Sequence, residues 1–465
     1  MRPLYGVEEI RAAEAATGVS EAVLIDRAST AVARRAAAMT GGVYGRQVLV
    51  CAGPGNNGAD ALWAGAKLAA RGAAVDWAFA LGDDRCGEHS GEALRRLRRS
   101  PRARPFARYD LVIDGILGSG ARLWDTAPDW ALRMRELATC PVLAVDVPSG
   151  VDADTGHAAP GAVRADVTVT FAPRIGLYVG AGAAHAGLVE VADIGLRPRV
   201  PSGLLAQAFH ARLALRPPFG DTDKYRRGVV GIVAGSERYP GAAMLACRGA
   251  LRAGCGYVRL LAPRSVADAV RAAFPEVVAA DRTTDLPHAD AWVVGPGLGD
   301  EPELVAAVLA TGKPTVVDAD AIGVGTVHEN VVLTPHTGEF ARLTGVSRED
   351  AERDRAGVAR KAAADLGCTV LLKGTTTVVA SRQGDVYVNP TGTPFLATAG
   401  TGDVLSGVVG ALLPRNDVAE NAAVGGAWLH GLAGRLAAGD PAVAITAMDV
   451  AERIPEAARI ALAAC

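Results

Sequence analysis

Three motifs in the first half of the chain carry polar groups whose types and spacing suit chemistry on an anionic ligand. In CAGPGNNGAD (51–60) an apolar run leads into a glycine-rich turn and a helix predicted to begin near Asn57 or Gly58. Such a turn presents backbone N–H groups that hold phosphate favourably. The segment lacks both the GxGxxG spacing and a Walker lysine, so it does not indicate an ordinary Rossmann or P-loop motif. A tight turn capped by Asn56 is the alternative.

The other two motifs, DGILGSGAR (114–122) and VDVPSGVDADTG (145–156), place an acid at the end of an apolar run. In an open α/β sheet the carboxyl ends of the strands converge on the ligand crevice. A carboxylate buried there needs a cation, a donor or a proton. Asn57, Asp114 and Ser149 offer oxygen ligands for a hard cation. The alternative is that each acid caps a loop or a helix.

The strongest local signal is ATAGTGDVLSG (397–407) in the second half. Gly400, Thr401 and Gly402 can form an anion-holding turn at the start of an apolar helix, with Asp403 pointing into the same pocket. Amides that stabilise a transferred group, beside a carboxylate that takes the acceptor's proton, suit phosphoryl transfer to a hydroxyl. The alternative for Asp403 is a first-turn helix acid favoured by the dipole.

Three more segments of the second half carry polar groups near predicted strand ends: GPGLG (295–299), TPHTGEF (334–340) and LKGTTT (372–377), of which the last begins within a strand. His336 is the weakest candidate, because a histidine at a strand end can simply satisfy a backbone carbonyl. The other histidines show no ligand spacing.

The elements that must position these groups are Val-rich strands alternating with Ala-rich helices, which predicts parallel sheets covered on both faces, twice over. One long amphipathic helix is expected before the first strand, from about Ile10 to Ala28. Strands are predicted at 48–53, 75–81, 111–117, 142–148, 167–172 and 188–194, then at 229–236, 257–263, 291–299, 315–322, 331–336 and 370–380.

Length and composition limit the classes of protein that fit. The 465 residues exceed one core, and a Pro-, Gly- and charge-rich stretch between Leu196 and Gly228 predicts domains 1–205 and 206–465. A net charge of −2 disfavours a nucleic-acid or membrane partner. Seven scattered cysteines indicate neither disulfides nor zinc, and the charged start is unlike a secretory signal. A cytoplasmic protein acting on small molecules, as a homo-oligomer, is expected.

The motifs of the first half resemble those of the YjeF N-terminal family, the NAD(P)H-hydrate epimerases. Downstream, KYRRGVVGIVAGSERYPGAA, GPGLG, LTPHTGEF, LKGTTT and ATAGTGDVLSG resemble the ADP-dependent NAD(P)H-hydrate dehydratases, a ribokinase-like family. Together they cover nearly the whole chain in the order of the bifunctional bacterial repair enzymes. The resemblance implies an α/β protein with an N-terminal Rossmann-like three-layer domain and a C-terminal ribokinase-like α/β domain.

The resemblance also implies a chemistry. Hydration of NADH or NADPH at the nicotinamide ring gives R and S forms that no longer carry out redox chemistry. The first domain would interconvert the two forms, and the second would use ADP or ATP with Mg²⁺ to eliminate water from the S form through a phosphorylated intermediate. Asp146 and Asp403 would be the catalytic groups, the first as acid/base and the second as general base.

The family pattern carries binding roles onto matching positions of this sequence. In the first half the hydrate would contact Asn56, Asn57, Gly58, Ala59, Asp60, Gly118, Ser119, Gly120, Ala121, Arg122, Leu123, Trp124 and Asp146, and K⁺ would bind Asn57, Asp114 and Ser149. In the second half the hydrate would lie near Ala242, Gly297, Gly299, His336 and Asp403. The nucleotide would contact Lys373, Gly374, Thr375, Thr376, Thr377, Gly400, Thr401 and Gly402.

One departure from the pattern bears on activity. Ala59 stands where the epimerase family usually has glycine, which is harmless only where φ is negative and a methyl group fits. The competing hypothesis is a ribokinase-like kinase for a small alcohol or vitamin precursor, fused to a non-catalytic YjeF-type binding scaffold.

Overall fold

The chain forms two compact units, each built on its own α/β sheet. In this computed structural model residues 2–80, 88–97, 108–137, 140–217, 220 and 222–464 are described. One unit is Pro3–Gly203, and the other is Leu204–Cys465 together with Met1–Arg2. Within the described residues no helix combines the length and apolar character that a membrane span requires.

In the part of the chain up to residue 191, strands alternate with helices between residues 47 and 145. In chain order they are β1 (Arg2–Leu4), α1 (Val7–Ala16), α2 (Glu21–Met39), β2 (Gln47–Ala52), α3 (Asn56–Ala69), β3 (Ala74–Phe79), α4 (Glu88–Leu97), β4 (Leu111–Gly115), α5 (Asp129–Leu137), β5 (Val142–Val145), β6 (Val167–Thr170), α6 (Gly180–Ala186) and β7 (Leu188–Val191).

The sheet of the first unit is wholly parallel, as the Val-rich runs predict. Its strand order is β3-β2-β4-β5-β6-β7. The chain passes from β2 to the neighbour on one side and then returns to β4 on the other side. The carboxyl ends of β2 and β4 therefore flank the topological switch point, where a crevice opens in such sheets.

The region before the first sheet strand corrects the prediction of one long helix. Two helices, α1 and α2, are separated at Thr17–Ser20. Gly18 has a left-handed φ of 64° and Ser20 is extended at the N-cap of α2. The apolar spacing was similar on both sides of this break, so periodicity alone did not reveal it.

The second unit adds longer helices at its C-terminal end. Its elements are β8 (Gly203–Leu205), α7 (Ala208–Leu215), β9 (Val229–Val233), α8 (Pro240–Arg252), β10 (Tyr257–Ala262), α9 (Arg264–Ala273), β11 (Val277–Asp281), β12 (Ala291–Val294), α10 (Pro302–Ala310), β13 (Thr315–Val317), β14 (Val331–Leu333), α11 (Thr337–Thr344), α12 (Arg348–Arg353), α13 (Arg355–Leu366), β15 (Thr369–Leu372), β16 (Thr377–Ala380), β17 (Val386–Asn389), α14 (Thr401–Leu412), α15 (Ala419–Ala438) and α16 (Ala447–Ala463).

The second sheet is parallel only in part. Its strands follow the order β8-β17-β16-β15-β14-β13-β12-β9-β10-β11, and β15, β16 and β17 pair antiparallel. The predicted strand 370–380 is therefore wrong: it is a hairpin of β15 and β16 whose connection is Lys373–Thr376. LKGTTT thus begins at the last residue of β15, and its central residues connect β15 to β16. Strands β8, β11 and β17 were not predicted.

Close helix packing fixes the start of α14 in the second unit. A methyl group on Gly249 of α8 would overlap the Val404 carbonyl, and one on Gly407 of α14 would overlap the Ala246 carbonyl. Glycine at both contacts lets the two backbones approach. Val404, Val408 and Ala250 are fully buried at this contact. The motif at 400–403 therefore begins a rigidly packed helix.

Candidate functional site

Glycines bring the two loops of the first crevice into contact. A methyl group on Gly53 would overlap the Ile116 carbonyl, and one on Gly58 would overlap the Gly53 carbonyl. The turn after β2 and the loop after β4 therefore pack backbone against backbone. The helix α3 begins at Asn56 with Gly55 as its N-cap, so Asn56 does not cap it.

Hydrogen bonds link the three predicted cation ligands: Ser149 binds Asp114, and both Ser149 and Asn57 bind Leu117. Asp114 is fully buried; its carboxylate accepts from the Ser149 hydroxyl at 2.6 Å and from the Ser149 amide at 2.8 Å. The Ser149 Oγ accepts from the Leu117 N–H at 2.9 Å, and the Asn57 Nδ2 donates to the Leu117 carbonyl at 2.8 Å. Burial raises the pKa of Asp114, although hydrogen bonds from Ser149 oppose it. This buried oxygen cluster fits a hard monovalent cation, because the cation would neutralise the carboxylate.

Asp146 is held as one half of a buried ion pair. The Arg174 Nη2 lies 2.8 Å from Oδ2, while the Arg174 Nε and the Thr170 hydroxyl donate to Oδ1 at 2.9 and 3.0 Å. Asp146 also has a left-handed φ of 62°, which is uncommon outside glycine. Such geometry is typical of residues that a fold holds in place for function.

Asp60 is a third buried carboxyl group of this region, after Asp114 and Asp146. It lies in the first turns of α3, 7% exposed, and among the described residues its Oδ1 has no hydrogen-bond partner. Burial, with the charges of Asp146 and Glu14, raises the pKa of Asp60 well above its ordinary value. The surroundings of Asp60 therefore favour its protonated form more than those of an exposed aspartate do.

The remaining residues predicted for this crevice occupy varied positions. Ala59 is buried within α3 and is not among the non-glycine residues with positive φ, so its methyl group is accommodated. The exposed Asn56 donates to Glu21 at 2.7 Å. In 118–124, the indole N–H of Trp124 donates to the Pro160 carbonyl at 2.8 Å, while Arg122 is exposed. A methyl group on Gly118 would touch Asn57, so that end of the segment borders the cation ligands.

In the second unit, the start of α14 has the geometry of an anion-binding turn. Gly400 is its N-cap with a left-handed φ of 88°. The Thr401 hydroxyl donates to the carbonyls of Leu396 and Thr398 at 2.9 and 3.0 Å. None of the described side chains caps the helix, so its first N–H groups remain available to a ligand.

A charged network surrounds that turn. The Lys373 ammonium donates to Asp318 Oδ1 at 2.7 Å, and the Ser406 hydroxyl donates to Asp318 Oδ2 at 2.6 Å. A methyl group on Gly402 would lie 3.3 Å from the Lys373 Nζ. Burial favours the neutral form of Lys373. The negative charges of Asp318, Glu339 and Asp403 outweigh this effect and raise the pKa of the lysine.

Asp403 differs from the other acids of this network. Burial, with the nearby Asp318, raises the pKa of Asp403 to about 7, while Lys373 lowers it. A carboxyl group with that pKa exchanges protons near neutral pH, which is the property of an effective general acid or base.

A cavity of about 520 Å³ opens beside this network. Its walls come from the β15–β16 connection, the segment before α14 and helix α15, and they include Lys373, Gly374, Thr375, Thr377, Thr401 and Gly402. Thr376 is buried, with its carbonyl directed to Arg355. The cavity has the size and the mixed lining of a small-molecule site.

His336 lies at the edge of this cavity as the N-cap of α11. Its Nδ1 accepts from the Gly338 and Glu339 amides at 2.9 and 3.3 Å. The histidine thus satisfies backbone N–H groups and not a backbone carbonyl as the alternative supposed. Its Nε2 lies 3.3 Å from Glu339 Oε1. Because Nδ1 accepts these hydrogen bonds, the proton of the neutral ring lies on Nε2.

Of the other predicted hydrate contacts, Gly299 lines a second opening of this unit, and Gly297 and Ala242 pack against each other beside Tyr239, another lining residue. Gly297 packs against Ala242 and Tyr239, and Gly299 donates its N–H to Asp320 Oδ2 at 2.9 Å. Tyr239, Gly299 and Asp320 line a cleft of about 760 Å³. Asp320 also raises the pKa of Asp403, so the cleft and the charged network are electrostatically coupled.

Sequence reasoning missed several residues of both sites. Asp318 and Arg174 supply the partners of Lys373 and Asp146, and His430, set aside for lack of ligand spacing, lines the 520 Å³ cavity. Burial lowers the pKa of His430 to about 4. Within the described chain its Nε2 has no hydrogen-bond partner. An acid at the end of β13 was a readable signal for Asp318, whereas Arg174 and His430 had none.

These features define a two-unit α/β protein: a parallel-sheet unit with buried acids after its strands, and a ribokinase-like unit with a glycine N-cap at the start of α14. A ribokinase-like superfamily protein from Enterococcus faecalis V583 shares the second fold at a TM-score of 0.52 and 23% identity, over 57% of this chain and 98% of its own. The chain belongs to the family of bifunctional NAD(P)H-hydrate repair enzymes, as its relatives show.

The bifunctional NAD(P)H-hydrate repair enzyme Nnr of Mycobacterium leprae is 41% identical over 95% of each chain. The enzyme of the same name from Mycobacterium tuberculosis H37Rv is 42% identical over 89% of each chain. The family model for NAD(P)H-hydrate dehydratase matches residues 230–456, and that for the YjeF-related protein N-terminus matches residues 21–174. An ADP/ATP-dependent NAD(P)H-hydrate dehydratase from Bacillus subtilis, co-crystallised with ATP and Mg²⁺, is 30% identical and superposes with a TM-score of 0.53, covering 56% of this chain and 99% of its own.

Proposed function

We propose that this chain repairs hydrated NADH and NADPH in two steps, with residues 1–205 as the epimerase and 206–465 as the nucleotide-dependent dehydratase. The observation that carries the proposal is Asp403, whose pKa near 7 and position in the first turn of α14 suit a base beside an anion-binding turn. The family membership supports the same division of labour.

In the dehydratase, Asp403 removes the proton of the ring hydroxyl of the S hydrate, and the hydroxyl oxygen attacks the terminal phosphoryl group of ADP or ATP. The bond from that phosphorus to the bridging oxygen breaks, and AMP or ADP leaves with the bonding electrons. The Gly400–Gly402 turn and Lys373 stabilise the transferred group. The C–O bond then breaks, phosphate leaves with the bonding electrons, and the adjacent ring carbon loses a proton, which restores the dihydronicotinamide. The acids that interact with Asp403 fit a nucleotide-bound Mg²⁺, which would neutralise phosphate oxygens.

In the epimerase, we assign proton movement at the carbon that changes configuration to Asp146. Arg174 and Thr170 fix its carboxylate, and we assign the role of partner acid to Asp60, whose pKa burial and the charge of Asp146 raise. Asn57, Asp114 and Ser149 would hold K⁺, whose charge would compensate the fully buried Asp114. A homo-oligomeric state remains a prediction from the sequence.

The direct test incubates the pure protein with mixed R and S hydrates, ADP or ATP and Mg²⁺, and follows the absorbance of the reduced nicotinamide. Complete recovery from both forms requires both activities. Recovery from the S form alone would show an inactive first unit. Accumulation of a stable phosphorylated alcohol from a panel of vitamin precursors, with no recovery of reduced nicotinamide, would favour the kinase hypothesis.

A further inference from the structure

We propose that Arg355 is a positioning residue that holds the β15–β16 connection, Lys373–Thr376, in its nucleotide-binding shape. The inference rests on the proposed nucleotide-dependent dehydration and adds to it a residue outside every motif of the sequence. Arg355 is the first residue of α13 and is 0% exposed.

The guanidinium group binds the connection through three backbone carbonyls. Nη2 donates to Lys373 at 2.8 Å and to Leu372 at 3.3 Å, and Nε donates to Thr376 at 3.2 Å. These carbonyls stand at the two ends of the connection. Since its middle residues, Gly374 and Thr375, line the 520 Å³ cavity, Arg355 supports the cavity wall from behind.

The remaining donors tie the same guanidinium group to a second wall of the cavity. Nη1 donates to the Thr337 hydroxyl at 3.2 Å and to Glu352 at 2.8 Å. Arginine has five N–H donors, and these five hydrogen bonds use all of them. Thr337 follows His336 and lines the cavity with it. One buried side chain thus connects the two segments that flank the cavity.

Gly374 is explained by this arginine. Its φ lies outside the left-handed region, so its backbone conformation does not require glycine. A methyl group there would instead overlap the Arg355 guanidinium nitrogens. The glycine of LKGTTT therefore makes room for the arginine that holds the connection, and substitutions at the two positions should not be independent.

Lysine cannot replace this arrangement. A lysine ammonium has three donors on a single nitrogen and lacks the planar fork of arginine, so it cannot reach carbonyls at both ends of the connection together with Thr337. Arg355→Lys keeps the charge that Glu352 pairs with, while it releases part of the connection. This variant therefore separates positioning from charge.

The experiment measures ADP affinity by titration calorimetry, KM for nucleotide and for S hydrate, and Tm, in the full chain. We expect Arg355→Lys and Gly374→Ala each to weaken ADP binding about tenfold or more. The KM for hydrate should change much less, and Tm should change by only a few degrees. Arg360→Lys is the matched control, because Arg360 on the same helix donates to the Gly384 carbonyl at 3.1 Å, in a turn outside the cavity lining.

A double-mutant cycle provides the sharpest readout. Gly374→Ala should weaken ADP binding strongly in the parent and only slightly in Arg355→Ala, where the overlapping group is gone. An additive cycle, or an Arg355→Lys variant that binds ADP as the parent does, overturns the proposal. So does an Arg360→Lys variant that loses ADP affinity to the same extent. If Arg355→Ala does not fold, the ADP affinities of Arg355→Lys and Gly374→Ala decide. A parent that binds neither ADP nor ATP overturns the proposed function instead.

Discussion

The two sites of this protein treat buried carboxylates differently. In the first unit Asp114 and Asp146 are each held by donors in fixed positions, the first by Ser149 and the second by Arg174. In the second unit Asp318 takes the lysine and serine partners, whereas the pKa of Asp403 is raised to about 7. In the second site the carboxylate that donors fix and the proposed base are therefore two different aspartates. In the first site the proposed acid/base, Asp146, is itself the carboxylate that donors fix.

The largest effect should follow substitution of Asp403, the proposed general base. Asp403→Asn should slow dehydration by about 10² to 10⁴, the usual cost of a lost general base, with nucleotide binding nearly intact. Epimerisation should be unchanged. The rate of nicotinamide recovery from pure S hydrate measures the effect, and unchanged turnover would remove Asp403 from the mechanism.

The matched control is Asp449, another first-turn helix acid. Its pKa is lowered by hydrogen bonds from Thr446, as expected of a cap. Asp449→Asn should lower Tm and leave turnover unchanged.

The raised pKa of Asp403 means that its favourable contribution to stability exists at low pH and is lost as pH rises through about 7. Asp403→Asn should therefore have a higher Tm than the parent above pH 7; the opposite result would indicate a merely capping role.

Asp146→Asn should produce the next largest effect and should separate the two units. We expect epimerisation to fall about 10²-fold, because the proton-moving carboxylate is lost. The S hydrate should still be consumed, while the R hydrate persists. Chiral separation of the remaining hydrates measures this. Asp193→Asn, which breaks an exposed pair with Arg197, is the control and should leave both rates unchanged.

The pH dependence should differ between the two activities. Dehydration should fall about tenfold per pH unit below about 7, because Asp403 must be ionised to accept a proton. The epimerisation rate should show no such fall below about pH 7. Rates of both activities measured on one preparation from pH 5 to 9 compare them directly, and coincident profiles would contradict the distinction between the sites.

Ser149→Ala should weaken the cation site without removing its charge. The variant loses the hydroxyl that donates to Asp114 at 2.6 Å and accepts from Leu117 at 2.9 Å. The K⁺ concentration for half-maximal epimerisation should rise about tenfold, in line with the loss of a hydrogen bond to a charged group. Dehydration of S hydrate is the internal control. Epimerisation that is independent of K⁺ in the parent would rule out the cation role.

The smallest effect is expected at Ala59. Because it lies inside α3 with a buried methyl group, Ala59→Gly should destabilise the first unit by about 1 kcal/mol, the usual cost of glycine in a helix. Epimerisation should remain within about twofold of the parent. A large gain in epimerisation would mean that the alanine impairs the crevice.

Much of the fold was predictable because the local signals were consistent with it. The Val-rich runs predicted every strand of the first sheet and most of the second, within a few residues at their ends. The break between α1 and α2 was missed, because apolar periodicity continues across it. The β15–β16 hairpin was missed because Lys373–Thr376 sits between two apolar runs that read as one.

Local sequence identified the motifs of each site but not all of the residues that pair with them. The turn after β2 and the loops after β4 and β5 meet as expected, since parallel strand ends converge. Their partners were not predictable: Arg174 follows β6, and Asp318 reaches Lys373 from 55 residues away. Such pairings depend on strand order, which local sequence does not encode.

The sequence by itself determined the identities of the reacting groups and the elements that carry them, because turns, helix starts and strand runs are specified by neighbouring residues. The tertiary structure alone decided the surroundings of each carboxyl group. Asp60 and Asp403 have the same side chain as Asp146, but burial and nearby charges raise the pKa of the first two, whereas Arg174 and Thr170 hold the carboxylate of Asp146 in place.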